Sequence, residues 1–247
     1  MVNMFGTFGF NNKEIELISR QGLRSLQDLV QLSDVQIAEL FKWLRYSSRP
    51  VDPAQAGAGQ TPAQQAAAVA AATPIADQAV FPILACRRVM ALRHWADYRA
   101  LRGDGATVMM FTPKTLTDWI SRLDDLDKEK AEGRDHPLPR SIQEMGAWTV
   151  WKETMLTHVG QVRGTALFTP LIYVIRKELT PDAQALAKIA EYNSINNDLV
   201  ATVLLEGPRF KKDNKKLYNL LKVLVIDGCV WPFIQPYNLK HDGRAAW

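Results

Sequence analysis

A low-complexity segment, rich in alanine, glutamine, glycine and proline, divides this chain of 247 residues. Residues 48–74 carry almost no charge and almost no large apolar side chain. Such a composition buries too little surface to offset the entropy that is lost on ordering. We therefore predict a disordered linker at 48–74, between a small domain at 1–47 and a larger domain at 75–247.

On both sides of the linker, apolar residues recur at the three- and four-residue steps of amphipathic helices. Helix starts are indicated at Ser33, Thr112-Pro113, Thr180-Pro181-Asp182, and at Ser141 with Glu144, which have capping-box spacing. The Ser141 start predicts a helix to about His158. Leu171–Ile175 fits a short strand as well as a buried helical turn. The predicted fold class is all-α, with about nine or ten helices.

The small domain is predicted to contain three short helices within residues 10–46. Gly22 ends the first helix, Leu23 begins the apolar spacing of the second, and Val35 belongs to the apolar stripe of the third. This arrangement resembles helix-hairpin-helix and SAM-like small domains, some of which bind DNA through a Gly-rich hairpin. The Gly-x-Gly hairpin is absent, and residues 1–46 hold five basic and five acidic residues. Protein interaction or structural support is therefore favoured over DNA binding.

Composition indicates a globular protein without a membrane partner. Hydrophobic residues make up 47% of the chain, no run of about eighteen apolar residues occurs, and the N-terminus lacks a signal-peptide pattern. We expect an intracellular, cytoplasmic protein and leave a nuclear location open. Cys86 and Cys229 are interpreted as two buried free thiols, although their spacing also permits a disulfide.

No pattern of a catalytic or metal site is present. The histidines stand singly, at His94, His136, His158 and His241. Asp124, Asp125 and Asp127 lack the alternating carboxylates and the central glycine of a calcium loop. Phosphate-binding glycine loops and the nucleophile elbow are also missing. We predict no enzyme, no cofactor, no metal and no small-molecule substrate.

Basic residues are concentrated in two helical segments. Residues 206–247 hold eight basic and four acidic residues. A long helix is predicted at 75–102, with Leu84 on its apolar side and Pro82 as an alternative start. This helix holds five arginines and two aspartates. The candidate nucleic-acid-binding residues are Arg87, Arg88, Arg209, Lys211, Lys212, Lys215 and Lys216. These residues either neutralise phosphates or keep helix surfaces solvated.

Apolar spacing predicts a last long helix over Asp213–Val225, and an aromatic segment follows it. Trp231, Phe233 and Tyr237 stand among the rigid prolines Pro232 and Pro236. Large aromatic side chains fill cores, and they also dominate the binding energy of protein interfaces. The three aromatic residues are therefore candidate interface residues, with core packing as the alternative.

Six motifs in the C-terminal half follow one another in a recognisable order. They are QVRGT at 161–165, PLIYVIR at 170–176, EGPRFKKDN at 206–214, YNLLK at 218–222, WPFIQP at 231–236 and DGRAAW at 242–247. Together they resemble the Gag-like (capsid) region that precedes the protease and polymerase in copia-type LTR retrotransposon polyproteins. The small N-terminal domain and the arginine-rich helix also resemble the leading part of such polypeptides.

The resemblance implies a capsid-like domain in which DGRAAW opens a helix, so we expect the chain to belong to a longer protein. It also implies a structural protein that forms homo-oligomers through helical faces and contacts element RNA or other single-stranded nucleic acid. A Cys/His zinc knuckle commonly lies further downstream in the family, and no such pattern occurs here. The alternative function is a nucleic-acid-binding or protein-interaction adaptor that uses the N-terminal helix-hairpin-helix-like domain.

Overall fold

The computed structural model describes residues 12–47, 83–132 and 137–247. Within these ranges the regular elements are helices, and β-structure is limited to one isolated bridge between Arg163 and Pro170. The prediction of an all-α chain is confirmed. The predicted linker, the segment 75–82 and His136 lie outside the described residues.

The helices are given in chain order, with α-helices labelled. They are α1 (Asn12–Arg20), α2 (Leu26–Gln31), α3 (Asp34–Ser47), α4 (Ile83–Leu101), a 3-10 turn (Val108–Met110), α5 (Pro113–Ala131), a 3-10 turn (Met145–Ala147), α6 (Trp148–Gln161), a 3-10 turn (Leu171–Ile175), α7 (Pro181–Ile189), α8 (Ile195–Thr202), α9 (Gly207–Val225), α10 (Trp231–Ile234), a 3-10 turn (Gln235–Tyr237) and α11 (Gly243–Ala246).

The chain forms two compact units. Their described residues are 12–47, 83–96 and 107–121 in the N-terminal unit, and 97–106, 122–132 and 137–247 in the C-terminal unit. This division differs from the predicted domains, because the first half of α4 groups with the N-terminal helices. The limits of independently folding domains stay a prediction.

The short helices of the N-terminal unit begin at side-chain caps. Ser25 and Asp28 form a capping box at α2, and the Ser33 hydroxyl accepts a hydrogen bond from the Gln36 amide at the start of α3. Gly22 lies in the turn that follows α1, and its φ is 89°. The interior is filled by Ile15, Ile18, Leu29, Ile37, Phe41 and Leu44.

Three side chains of this unit differ from the predicted pattern. Leu23 is buried but precedes α2, because Ser25 caps the helix two residues later. Val35 and Leu84 were predicted to face inward, yet 66% and 62% of their surface is exposed. Both lie in the first turn of their helices, but the buried apolar side chains of these turns are Ile37 and Ala85, so Val35 and Leu84 lie on the exposed side.

A carboxylate–imidazole pair, in which the imidazole is buried and the carboxylate is partly exposed, connects α3 to α4. His94 is 1% exposed, and its Nε2 lies 2.9 Å from Oδ2 of Asp34, the first residue of α3. Arg93 Nη1 donates a hydrogen bond of 3.0 Å to Asp34 Oδ1. Burial by itself raises the pKa of Asp34, but the hydrogen bonds and charges of His94 and Arg93 outweigh burial and lower it. This pair explains why the first half of α4 belongs with the N-terminal helices.

The lowered pKa of Asp34 predicts an acid-sensitive contribution to stability. The contribution is complete above the pKa of an unfolded aspartate, about 3.9, and is lost as the pH falls through the folded pKa. The difference in free energy of unfolding between wild type and Asp34→Asn should therefore be largest above about pH 5 and shrink towards about pH 2. Denaturant unfolding across this range measures it.

Asp118→Asn, which removes an exposed charge from α5, is the matched control. A difference between wild type and Asp34→Asn that stayed constant over the same pH range would contradict the role given to the Asp34–His94 pair.

The C-terminal unit is built around α9. One face of this helix is fully buried and carries Leu217, Tyr218, Leu221, Leu224 and Val225. The predicted helix began at Asp213, but α9 begins at Gly207, with Pro208 in its first turn. The α11 helix packs closely, since a Cβ on Gly243 would lie 2.5 Å from the backbone of α9. Asp242 caps α11 through the Ala245 amide, which confirms the predicted helix start.

The predicted helix start at Ser141 is wrong. Residues 137–144 are irregular, and α6 begins at Trp148 without a side-chain cap. The physical reason is tertiary: Ile142 is 2% exposed, and Trp151 Nε1 donates a hydrogen bond of 2.9 Å to the Arg140 carbonyl. These contacts stabilise an extended segment that the capping residues alone would place in a helix. The ambiguous Leu171–Ile175 is a 3-10 turn.

Candidate nucleic-acid interface

The buried carboxylate of Asp213 fixes a loop against α9. Asp213 is 0% exposed and accepts hydrogen bonds from the Thr165 amide (2.6 Å), the Thr165 hydroxyl (2.9 Å), the Ala166 amide (3.2 Å) and the Tyr173 hydroxyl (2.9 Å). A buried carboxylate requires such donors to offset its lost hydration. Burial, reinforced by the charge of Asp213, raises the pKa of Tyr173, which keeps this hydroxyl a donor.

The fixed loop, residues 164–169, has an unusual backbone. The Gly164 amide donates to the Thr169 carbonyl (2.8 Å), and the Thr169 amide donates to the Ala166 carbonyl (2.9 Å). Leu167 and Phe168 both have positive φ, of 50° and 56°. Side chains other than glycine rarely adopt this conformation, which persists only where surrounding contacts impose it.

A buried arginine stabilises the same loop through a different residue. Arg122 Nη2 donates to the Leu167 carbonyl at 2.8 Å and to Asn196 Oδ1 at 3.0 Å. Burial lowers the pKa of Arg122 to about 10, and the charge of Arg163 acts in the same direction. The guanidinium therefore stays charged at neutral pH.

Arginines elsewhere in the C-terminal unit bond to carbonyl groups near the ends of helical segments. Arg102 donates to the Lys188 carbonyl (2.6 Å), and Arg176 donates to the Val200 carbonyl (2.7 Å). Arg244 donates to the Val174 carbonyl at 2.9 Å. The last carbonyl groups of a helix lack partners within it, so these contacts supply the missing donors. This role could not be predicted from sequence, because spacing does not distinguish exposed arginines from buried ones.

The arginines of α4, and Arg102 directly after it, are largely occupied within the protein. Arg93 bonds to Asp34, the Arg99 guanidinium donates to the Gly105 carbonyl, and Arg102 is 6% exposed. Arg87 and Arg88 are half-buried, and each makes further interactions. Nucleic-acid contact by Arg87 and Arg88 stays a prediction.

The basic cluster of α9 lies on the side of the helix opposite its buried face. Lys211, Lys212, Lys215 and Lys216 are exposed, and helical spacing places them side by side. Lys216 Nζ donates to the Arg163 carbonyl at 2.7 Å. No carboxylate in the described part of the chain forms an ion pair with Lys211, Lys212 or Lys215. We call these four residues the α9 lysine surface.

Arg209 differs from the neighbouring lysines. Its side chain is 37% exposed and pairs at 3.1 Å with Asp97, whose side chain is 4% exposed. Removing Arg209 would leave a buried carboxylate without this partner. Arg209 therefore has a structural role in addition to its predicted contact with nucleic acid.

The aromatic candidates lie at and after α10. Trp231 and Tyr237 are half-buried, and the ring of Trp231 lies 6.0 Å from Lys222 Nζ. Phe233 is 66% exposed, whereas Ile234 is 3% exposed. Core packing in this segment is therefore supplied mainly by Ile234, and an interface role for the aromatic residues stays a prediction.

A cavity of about 620 Å³ opens in the C-terminal unit near the α9 lysine surface. Its wall includes Phe168, Lys130 and Lys216, together with Glu129 and Arg163. Arg163 and Glu129 form a bidentate ion pair with distances of 3.0 and 2.5 Å. Lys130 Nζ lies 5.2 Å from the centroid of the Phe168 ring. Sequence reasoning missed this cavity, because its residues come from four separate segments.

Other predicted features have mixed outcomes. Cys86 and Cys229 are free thiols, but Cys229 is exposed, so the expectation of two buried thiols is wrong. Across the ranges that the structure describes, no group of three or more histidine, cysteine, aspartate or glutamate side chains is arranged to hold a metal ion. Within the same ranges, no helix is both long enough and apolar enough to cross a membrane.

Comparisons of the chain with protein-family models, with curated proteins and with solved structures give no match. The resemblance to copia-type Gag-like regions therefore has only the sequence motifs as its support.

The two glycines beside the loop predict opposite effects of alanine. Gly164→Ala should lower the free energy of unfolding by about 1–3 kcal/mol, because the added Cβ would lie 2.5 Å from Asp213 Oδ2 and 3.1 Å from the Thr169 carbonyl. Gly160→Ala should raise it by about 0.5–1 kcal/mol, since Gly160 is helical and the new Cβ would meet only Ile172, at 4.0 Å. Thermal and denaturant unfolding measure both, and equal effects would contradict the packing described for Asp213.

Proposed function

We propose that this chain is a structural Gag-like protein that self-associates through helical faces and contacts RNA through the α9 lysine surface, without catalysis. The observation that carries the proposal is the exposed positive charge of Lys211, Lys212 and Lys215 on α9, with which no carboxylate among the described residues pairs. These cations are exposed, so phosphates reach them without breaking an ion pair. The resemblance of the C-terminal motifs to copia-type polyproteins supports the same function.

The arrangement of α9 favours a backbone contact over recognition of particular bases. Lysine ammonium groups are point charges on flexible stems, and they neutralise phosphates with little geometric demand. Affinity from such contacts arises from release of counterions and falls as salt rises. The α9 lysine surface should therefore bind RNA of many sequences.

Exposed apolar side chains on the C-terminal unit are candidates for self-association. Phe233 is 66% exposed and Leu239 is 94% exposed. Leu186 and Ile189 are 65% and 79% exposed on neighbouring positions of α7. Phe233 is the one among them that sequence analysis placed at an interface, and aromatic residues contribute strongly when an interface buries them.

Removing the charge of the α9 lysine surface should weaken RNA binding in a salt-dependent manner. The triple variant Lys211→Gln, Lys212→Gln, Lys215→Gln should lower the slope of log affinity against log salt by about 2 units, because each contact with single-stranded RNA contributes about 0.7. Fluorescence anisotropy with a labelled RNA oligonucleotide at several salt concentrations measures the slope.

The matched control replaces three other exposed lysines, Lys114, Lys177 and Lys240, with glutamine. The two triple variants have the same net charge, so a specific surface should separate them. Equal slopes for both variants, or wild-type protein that ignores RNA at low salt, would refute the RNA contact.

Self-association should depend on the exposed aromatic segment. Wild-type protein is expected to sediment as oligomers whose proportion rises with concentration, and Phe233→Ser should shift the distribution towards monomer. Val35→Ser is the control, because Val35 is equally exposed at 66% but belongs to the N-terminal unit. A wild-type protein that stayed monomeric with and without RNA would refute the assembly function.

A further inference from the structure

The cavity next to the α9 lysine surface combines an aromatic wall with positive charge. Its volume of about 620 Å³ lies in the range of small-ligand sites. The half-buried ring of Phe168 forms one part of the wall, and apolar side chains such as Leu126 and Leu220 form another. Such a cavity accommodates a flat ring.

The described residues of the cavity wall carry a net positive charge. The single carboxylate among its described residues, Glu129, is bonded to Arg163 by two hydrogen bonds. Lys130 and Lys216 remain as cations that this pair does not neutralise. Lys216 Nζ uses one of its donors on the Arg163 carbonyl, so its other donors are available to an anion.

The backbone at Phe168 is strained, and strain of this kind often marks a functional position. Each residue with a left-handed backbone other than glycine costs about 1–3 kcal/mol in the general case, and Leu167 and Phe168 occur in succession. The bonds of Asp213 to Thr165 and Ala166 hold this conformation. An aromatic side chain is thereby presented at the cavity without contributing to the fully buried core.

The Lys130 side chain lies beside the Phe168 ring and can move away from it. Its Nζ lies 5.2 Å from the ring centroid and 3.6 Å from Asp127 Oδ1, in a pair whose side chains are both more than half exposed. Exposed pairs of this kind contribute little to stability. A flat ring can therefore take the position over Phe168 while the ammonium group shifts to an accompanying phosphate.

We propose that this cavity binds one nucleotide of single-stranded RNA, with the base stacked on Phe168 and the phosphate bound by Lys130 and Lys216. The inference rests on the proposed RNA contact, because Lys216 belongs to both the cavity and the α9 lysine surface. It adds a preference for single strands, since a base within a duplex is not free to stack on a protein ring.

The test compares a single-stranded RNA oligonucleotide, a duplex RNA of the same length, and adenosine monophosphate on the full chain. Phe168→Leu should weaken single-strand binding by about 5- to 100-fold with an unchanged salt slope, whereas Phe168→Tyr should retain it. Leucine tolerates this backbone, as Leu167 shows at φ of 50°. Equal melting temperatures would verify that both variants fold.

A second pair of variants changes charge without touching the loop. Gln161 is exposed, lies on the cavity wall and ends α6. Gln161→Glu should weaken single-strand binding by about 2- to 5-fold, and Gln161→Lys should strengthen it by a similar factor.

The outcomes separate this inference from the proposed function. If Phe168→Leu bound single-stranded RNA with wild-type affinity while the lysine variants still lowered the salt slope, nucleotide binding in the cavity would be refuted. The RNA contact of the α9 lysine surface would stand. Adenosine monophosphate binding that is lost in Phe168→Leu, without any RNA binding, would identify a free nucleotide as the ligand and overturn the RNA assignment. Equal affinity for single-stranded and duplex RNA would also overturn the stacking inference.

Discussion

The C-terminal unit depends on one buried carboxylate. Asp213 projects from the first half of α9 and accepts hydrogen bonds from two loop amides and two hydroxyl groups. Its desolvation is tolerable only because these donors replace water. The same bonds fix the 164–169 loop in a backbone that places Phe168 at the cavity wall. Loss of this carboxylate would therefore affect both the fold and the surface around it.

The two faces of α9 have different roles, because one packs in the core and the other forms part of the exposed surface. Asp213 and Leu217 point inward with the rest of the buried face, while Lys211, Lys212 and Lys215 remain exposed. The lysines are consequently displayed on a backbone that the buried face makes rigid. In the function that we propose, this rigid display of charge and the adjacent aromatic cavity bind a nucleic-acid strand together.

Local signals predicted the helices well, and tertiary contacts account for the failures. Thr180 caps α7 as expected because a threonine followed by proline and aspartate is a self-sufficient signal. Ser141 has an equally good helix-start signal, but the burial of Ile142 stabilises a non-helical segment there. Asp213 was predictable only as a charge in a basic segment, since its partners come from residues about forty positions away. The candidate lysines could be located from sequence, whereas the Phe168 cavity required the fold.

The central claim is that RNA meets the exposed face of α9 and the loop fixed by Asp213. Amide chemical shifts of ¹⁵N-labelled protein, followed during titration with single-stranded RNA, test it most directly. The account predicts shifts concentrated at residues 211–216 and 165–169, with the amides of 221–225 on the same helix unchanged. Shifts that were absent, or that were confined to residues 12–47, would contradict it.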